Sequence, residues 1–231
     1  MINTMLEIAR KTPLRPIYRW GRRKYLNLYL KSTMGKILAD PEYLLNDRNT
    51  LTDLSRAWGN MSYSASIEYL EECVQYSAKS RLPILECGSG LSTIVIGLIA
   101  KKYGNIVWSL EHMKSWYERI KKALIKYEID SVKINYGPMT EYGDYVWYKA
   151  PLDSMPDKFS LVVCDGPAGV KTRAKHNIFP IMKDRFAPDC VILYDDANKV
   201  IPEDAITDWV EKLNMSYEIH GEVNPYYVFK L

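Results

Sequence analysis

The 231-residue sequence contains only four cysteines, Cys73, Cys87, Cys164 and Cys190, and no Cys-x-x-C pair. The missing pair argues against the common zinc-ribbon and dithiol motifs, and the apolar surroundings of three of the cysteines predict reduced thiols in a core. The sequence also lacks the run of about 20 apolar residues that a membrane-spanning helix needs. Its first 30 residues lack the apolar stretch of a signal peptide. We therefore expect a cytoplasmic protein.

Acidic residues are scarce at the start of the chain. Residues 1–36 hold nine Lys or Arg but only one acid, Glu7, whereas the rest of the chain holds 22 basic and 27 acidic residues. This asymmetry predicts an acidic partner or a solvated basic surface. Three uses stay open: packing on the domain or on a second copy in a homo-oligomer, peripheral contact with an anionic membrane, and binding of nucleic acid. The segment lacks a known nucleic-acid motif, so nucleic acid is the least expected partner.

Composition and periodicity divide the chain into three parts: a basic, aromatic extension over 1–36, a helical lead-in over 37–80, and an α/β domain over 81–231. In the last part, strand-like and helix-like runs alternate, which predicts a mostly parallel sheet with helices on both faces, a Rossmann-like α/β fold. The predicted strands are Pro83–Cys87, Ile106–Leu110, Val132–Tyr136, Phe159–Cys164, Val191–Tyr194, Tyr217–His220 and Tyr226–Phe229. The predicted helices are Ser92–Tyr103, Lys114–Tyr127, Arg173–Phe186 and Glu203–Leu213.

The end of the chain is different, because only Gly221–Pro225 separates the last two predicted strands. A link this short cannot carry a crossover helix, so we expect these strands to form an antiparallel hairpin that completes a seven-stranded sheet.

The first strand of the domain leads into a glycine-rich loop, Glu86-Cys87-Gly88-Ser89-Gly90, followed by a helix that begins near Ser92 and Thr93. Glycines permit close approach of a ligand, and a helix start offers unpaired N–H groups. Glu111 ends the next strand, where nucleotide-binding folds place the acceptor for ribose hydroxyls. This arrangement fits NAD(P) or S-adenosylmethionine. The acid at Glu86 would repel a pyrophosphate and suits a cationic methionine group, which favours S-adenosylmethionine.

These features, with the Asn135-Tyr136-Gly137-Pro138 turn and the closing hairpin, resemble the class I S-adenosylmethionine-dependent methyltransferases over residues 81–231. Asp165-Gly166-Pro167 and Asp195-Asp196 resemble the branch of small-molecule and sugar O-methyltransferases related to catechol O-methyltransferase. The resemblance implies a cofactor site formed by the glycine-rich loop with neighbouring residues. Those residues are Glu86, Cys87, Gly88, Ser89, Gly90, Ser92, Thr93, Glu111, His112, Gly137, Pro138 and Asp165.

Three carboxylates follow two neighbouring strands: Asp165 after one, Asp195 and Asp196 after the other. Carboxylates brought together repel one another unless they share a cation, a proton or a basic residue. A divalent cation such as Mg²⁺ is one solution, and it would lower the pKa of an acceptor hydroxyl. The resembled family carries a Lys three residues after its first Asp, where this chain has Ala168. Four basic residues that follow closely are candidate replacements: Lys171, Arg173, Lys175 and His176.

The metal-free solution makes Asp165 or His176 the general base for methyl transfer to a hydroxyl. Between Pro138 and Lys158 we expect a long connection whose aromatic residues form a lid or an acceptor platform. The sequence thus predicts an O-methyltransferase acting on a small molecule or a glycan. The alternatives are an NAD(P)-dependent oxidoreductase, a non-catalytic binding module with this fold, and an RNA methyltransferase. The last lacks the Asn/Asp-Pro-Pro-aromatic motif expected for amino methylation of bases.

Overall fold

A seven-stranded sheet forms the centre of the computed structural model, which describes residues 15–59, 65–167, 174–197 and 203–231. The sheet order is β3-β2-β1-β6-β7-β9-β8. Its strands are β1 (Ile84–Cys87), β2 (Val107–Glu111), β3 (Val132–Tyr136), β6 (Phe159–Cys164), β7 (Phe186–Tyr194), β8 (Ser216–His220) and β9 (Tyr226–Lys230). A separate two-stranded hairpin consists of β4 (Met139–Tyr142) and β5 (Tyr145–Tyr148).

Strand pairing confirms the predicted architecture. The first five strands of the sheet order run parallel, and β9 is antiparallel to both β7 and β8. The β8–β9 hairpin follows from its short connection, where Gly221 adopts a φ of 85° that favours glycine. Beyond β1 the chain builds the sheet in one direction, to β2 and β3, and then in the other, from β6 onward. Ligands in open α/β sheets bind where this direction reverses, which here is the β1/β6 boundary.

The helices lie on both faces of the sheet because residues alternate in direction along each strand. Ile84 packs with one apolar cluster and Leu85 with the other. The helices are α1 (Arg15–Ala39), α2 (Tyr43–Asn46), α3 (Arg48–Trp58), α4 (Ile67–Lys79), α5 (Leu91–Tyr103), α6 (Lys114–Lys126), α7 (Ile178–Met182) and α8 (Glu203–Leu213). The first cluster lies among the amino-terminal helices, α4, α5 and α6, and the second lies under the β4–β5 hairpin, α7 and α8.

Two local predictions were wrong. The helix expected over Arg173–Phe186 is a 3-10 turn (Ala174–Asn177), the short α7 and a second 3-10 turn (Lys183–Arg185), and β7 already begins at Phe186. Pro180 lies within this stretch and cannot donate a backbone hydrogen bond, which limits helix length. The connection expected between Pro138 and Lys158 contains the β4–β5 hairpin, whose turn includes Gly143 at a φ of 60°.

Residue 36, the predicted end of the basic extension, lies within α1, which continues to Ala39. Its last turns are fixed by burial of Met34 and Ile37 in the first apolar cluster. The domain boundaries suggested by composition stay predictions. No helix in the described part of the chain is both long and apolar enough to cross a bilayer.

Candidate functional site

The glycine-rich loop leaves the carboxyl end of β1 and touches the loop that follows β6. Gly88 has a φ of 90°, and a Cβ atom there would lie 2.6 Å from the backbone N of Gly166. Only glycine fits this crossing, because both the backbone conformation and the space exclude a side chain. The two loops are thereby held together at the point where the sheet changes direction.

Glu86 is fully buried behind this loop and accepts three hydroxyl hydrogen bonds. Ser92 Oγ donates to Oε1 at 2.7 Å, and Thr93 Oγ1 donates to Oε2 at 2.7 Å. Ser109, its register partner in β2, donates to Oε2 at 2.5 Å. Burial raises the pKa of Glu86 to about 7, although these three hydroxyls oppose the rise. Glu86 therefore ties the first turn of α5 to the sheet.

Glu111, at the end of β2, holds the loop from the other side. Its Oε2 accepts from the backbone N of Ser89 at 3.1 Å and from Ser89 Oγ at 2.8 Å, and its Oε1 accepts from the backbone N of Met113 at 2.7 Å. Trp116 Nε1 donates to the carbonyl oxygen of Ser89. Ser89 is thus fixed on three of its polar atoms. A carboxylate has about four acceptor positions, so Glu111 retains one for a ligand hydroxyl.

The remaining residues predicted to bind the cofactor differ in how closely the protein packs around them. Gly90 and His112 leave space or a buried polar atom for a ligand, whereas Cys87, Gly137 and Pro138 are packed against other parts of the protein. Gly90 is roomy, since a Cβ atom there would meet only Ser92 Oγ, at 3.8 Å. The ring nitrogen Nδ1 of His112 is buried and lies 3.4 Å from Glu111 Oε1, without hydrogen-bond geometry to any described residue. Cys87 is buried, and Gly137 packs against the hairpin, because a Cβ atom there would lie 3.0 Å from Lys149 O.

Pro138 is another predicted cofactor residue that is held by the protein itself. Its carbonyl oxygen accepts from the backbone N of Lys149 at 2.9 Å, which anchors the β4–β5 hairpin beside the turn at Gly137.

The loops after β6 and β7 bring the three predicted metal ligands together. One oxygen from each of Asp165, Asp195 and Asp196 lies within 4.8 Å of the others. Burial, followed by the charge of Asp165, raises the pKa of Asp195 to about 7. Asp196 has a φ of 65° and donates its backbone N–H to Asp195 Oδ1 at 2.8 Å. Three oxygen donors at this spacing suit a hard divalent cation.

Basic residues from the 3-10 turn approach the carboxylate cluster. Lys175 Nζ donates to the carbonyl oxygen of Asp195 at 2.7 Å and lies 3.7 Å from Asp196 Oδ2. His176 Nδ1 lies 2.6 Å from the hydroxyl of Tyr194, and its ring packs against Tyr194 and Trp209. The other two predicted replacements for the missing lysine, Lys171 and Arg173, lie outside the described residues.

The aromatic connection predicted as a lid or an acceptor platform includes Tyr148, whose place beside the two loops the sequence did not indicate. Tyr148 is fully buried, and its hydroxyl has no hydrogen-bond partner among the described residues. That hydroxyl would lie 2.5 Å from a Cβ atom at Gly166, so the phenol reaches the contact between the two loops. Ser109 was also missed. The sequence signal for it was its position two residues before Glu111 in β2. In the parallel pair of β1 and β2, that position is the register partner of Glu86.

Comparison with known proteins shows which fold this is. No family model matches the chain, and no curated protein sequence matches it significantly. Among solved structures, it is similar to the S-adenosylhomocysteine-bound methyltransferase PaMTH1 of Podospora anserina, with 14% identity over 82% of this chain and 87% of that one (TM-score 0.54). A putative caffeoyl-CoA O-methyltransferase from Staphylococcus aureus shares 15% identity over 84% and 97% (TM-score 0.54).

A third solved structure extends the same likeness. The O-methyltransferase TomG of Streptomyces achromogenes, in complex with S-adenosylmethionine, shares 14% identity over 78% of this chain and 88% of that one (TM-score 0.51). At these identities the likeness establishes the fold. The chain has the Rossmann-like fold of class I S-adenosylmethionine-dependent methyltransferases.

Proposed function

We propose that the chain is an S-adenosylmethionine-dependent methyltransferase that methylates a hydroxyl group of a small molecule or a glycan. The observation that carries this proposal is the cluster of Asp165, Asp195 and Asp196 beside the glycine-rich loop. Acids at this place can take the proton of an acceptor hydroxyl directly or hold a cation that acidifies it. The fold shared with structures that contain the cofactor or its demethylated product supports the choice of cofactor.

The residues around the loop fit S-adenosylmethionine. The ring nitrogen Nδ1 of His112 is buried and has no hydrogen-bond partner among the described residues. This nitrogen and the spare acceptor position of Glu111 are suited to a nucleoside, and Gly90 leaves room for backbone contact. The bound cofactor supplies an electrophilic methyl group on a positively charged sulfur. The nearby carboxylates favour that positive charge electrostatically.

Glu86 has a positioning role in this proposal. Its carboxylate is closed to solvent and accepts from three hydroxyls of the protein, so it shapes the loop from behind. This differs from the direct contact with the methionine amino group that the sequence suggested, and that contact stays a prediction.

Asp165 is the residue we propose as the base. It follows the buried β6, and the Gly88–Gly166 crossing holds its loop against the cofactor loop. His176 is a less suitable base, because its Nδ1 is engaged with the Tyr194 hydroxyl and its ring is enclosed by Tyr194 and Trp209. Methyl transfer joins two substrates, so much of the rate would come from holding the acceptor oxygen in line with the methyl group.

The cluster also fits a divalent cation. Asp165, Asp195 and Asp196 would hold Mg²⁺ through carboxylate oxygens, and the cation would lower the pKa of the acceptor hydroxyl. Lys175 competes for this place, since its ammonium group is already 3.7 Å from Asp196 Oδ2. The proposed methyl transfer therefore has two routes, one with a bound metal and one without.

Titration calorimetry with S-adenosylmethionine, S-adenosylhomocysteine and NAD(P) tests the cofactor. We expect the first two to bind and the third to give no heat; tight NAD(P) binding alone would turn the assignment to an oxidoreductase. Transfer of labelled methyl groups to a panel of phenolic, aliphatic and sugar hydroxyls tests the reaction. Repeating the assay with Mg²⁺ and with EDTA separates the metal-assisted route from the metal-free one.

A further inference from the structure

The exposed face of α1 carries a regular pattern of apolar and cationic residues. All members of this pattern are exposed, and successive members are three or four residues apart, so they lie along one side of the helix. We call this the α1 stripe, and it consists of Trp20, Lys24, Leu28, Lys31, Gly35 and Leu38.

The α1 stripe is not part of the core. Trp20 is 61% exposed, Leu28 69% and Leu38 43%, while Met34 and Ile37 on the adjoining side of the helix are buried. From Trp20 to Leu38 the stripe extends roughly 27 Å along the helix axis. Its members therefore form one long surface, which is unlike singly scattered apolar residues on an ordinary protein surface.

All charges of α1 have the same sign. Residues 15–39 contain seven Lys or Arg and no acid. The Lys24 ammonium lies 4.4 Å from the ring centroid of Trp20, so charge and apolar surface are adjacent in space as well as in sequence. A second copy of this helix would bring like charges together, which disfavours self-association through the stripe.

We propose that the α1 stripe docks the protein on an anionic lipid surface. Lysine side chains can keep their ammonium groups among anionic headgroups while their apolar stems lie against the membrane, and Trp and Leu can enter the boundary with the acyl chains. A nucleic acid would also attract the cations, but its phosphates offer no apolar partner for Leu28 and Leu38. Of the occupants compared, the lipid surface alone uses both the cationic and the apolar residues of the stripe.

Co-sedimentation of the full chain with vesicles tests this proposal. We expect binding to vesicles of phosphatidylcholine with phosphatidylserine, weaker binding to phosphatidylcholine alone, and a decrease with added salt. The double variant Trp20→Ser/Leu28→Ser should lower the affinity by about tenfold, because it removes the apolar contacts. Lys24→Gln/Lys31→Gln should also weaken binding and make it less sensitive to salt.

The matched control is Ile125→Ser/Val223→Ser, which removes two apolar side chains that are 70% and 81% exposed elsewhere on the protein. It should bind vesicles as the wild type does, and thermal melting should show that all variants are folded. Equal loss in the control and the stripe variant would overturn the proposal. So would binding to RNA or DNA without binding to vesicles, or a dimer that the stripe variant abolishes while vesicle binding is absent.

Discussion

Two groups of acids lie at the same edge of the sheet and differ in how many hydrogen-bond donors the protein supplies to them. Glu86 and Glu111 each accept hydrogen bonds from several hydroxyl or backbone donors, so their oxygens are matched by the protein itself. Asp165, Asp195 and Asp196 crowd one another instead, and burial, followed by the charges of the other two, raises the pKa of Asp195. Matched carboxylates hold a loop in place, whereas crowded carboxylates favour binding of a cation.

The strongest test of this difference is Asp165→Asn. The amide keeps the shape of the side chain but can neither take up a proton from the acceptor nor serve as an anionic ligand. We expect kcat/KM for methyl transfer to fall about a thousandfold, within the range for loss of a general base, while calorimetry shows that the cofactor still binds. Asp208→Asn, at an exposed position within α8, is the control and should keep full activity. If Asp165→Asn lowered kcat/KM only a few-fold, Asp165 would not be the general base.

Gly88→Ala tests the contact that joins the two groups. The added Cβ would meet Gly166 at 2.6 Å in a backbone conformation with a φ of 90°, so one of the loops must move. We expect the free energy of unfolding to fall by on the order of 3 kcal/mol, measured by urea denaturation. Gly90→Ala is the matched control, because its Cβ would meet only Ser92 Oγ, at 3.8 Å. Equal stability of the two variants would show that the loops are not held by this crossing.

Glu86→Gln tests the matched group. In the variant, one amide oxygen replaces the two carboxylate oxygens that accept hydrogen bonds from three hydroxyls. This loss should lower the unfolding free energy by about 2 kcal/mol. Burial raises the pKa of Glu86 from 4.5 to about 7, so the wild type loses stability as the pH rises through this window. The variant has no such proton to lose. Its deficit should therefore be largest at pH below 4.5 and shrink toward pH 7, and denaturation curves across this range measure it. A deficit that grows with pH would contradict the assignment.

Much of the sheet could be predicted from the sequence because strand-like and helix-like segments alternate and the central strands contain continuous apolar runs, Leu161–Val163 and Val191–Leu193. Val132–Tyr136 and Phe159–Cys164 match the structure at both ends, and the hairpin followed from the short Gly221–Pro225 link. The β4–β5 hairpin was missed, because its strands are only four residues long and mix polar and aromatic side chains. The start of β7 was missed because Pro188 and Asp189 are typical of a loop.

For the candidate site, the sequence identified which acids lie at strand ends but not which donors reach them. The approach of Asp165 to Asp195 followed from the order of parallel strands, and the structure places them together. The roles of Ser109 and Tyr148 depend on register and on packing across the sheet, which one-dimensional spacing does not contain.

Asp195→Asn should have the smallest effect and the opposite sign from Glu86→Gln. The amide oxygen can still accept the backbone N–H of Asp196, while the buried charge facing Asp165 disappears. We expect a gain of about 1 kcal/mol in unfolding free energy at neutral pH or above, because burial and the charge of Asp165 both disfavour the charged carboxylate. The gain should fade as the pH drops from about 7 toward 3.8, where the wild-type carboxyl becomes protonated.

The repulsion among Asp165, Asp195 and Asp196 can be relieved by a bound cation or by a proton together with Lys175. Adding Mg²⁺ distinguishes these two possibilities. If the crowded group holds a cation, Mg²⁺ should raise the melting temperature of the wild type and have a smaller effect on Asp195→Asn, because binding to the native state stabilises it in proportion to affinity. An equal response of both proteins would show that the ion binds elsewhere, and the proton and Lys175 would then be what offsets the crowding. A loss of stability in Asp195→Asn at neutral pH would be the more serious result. It would mean that this carboxylate is as well matched by donors as Glu86, and the contrast between the two groups of acids would disappear.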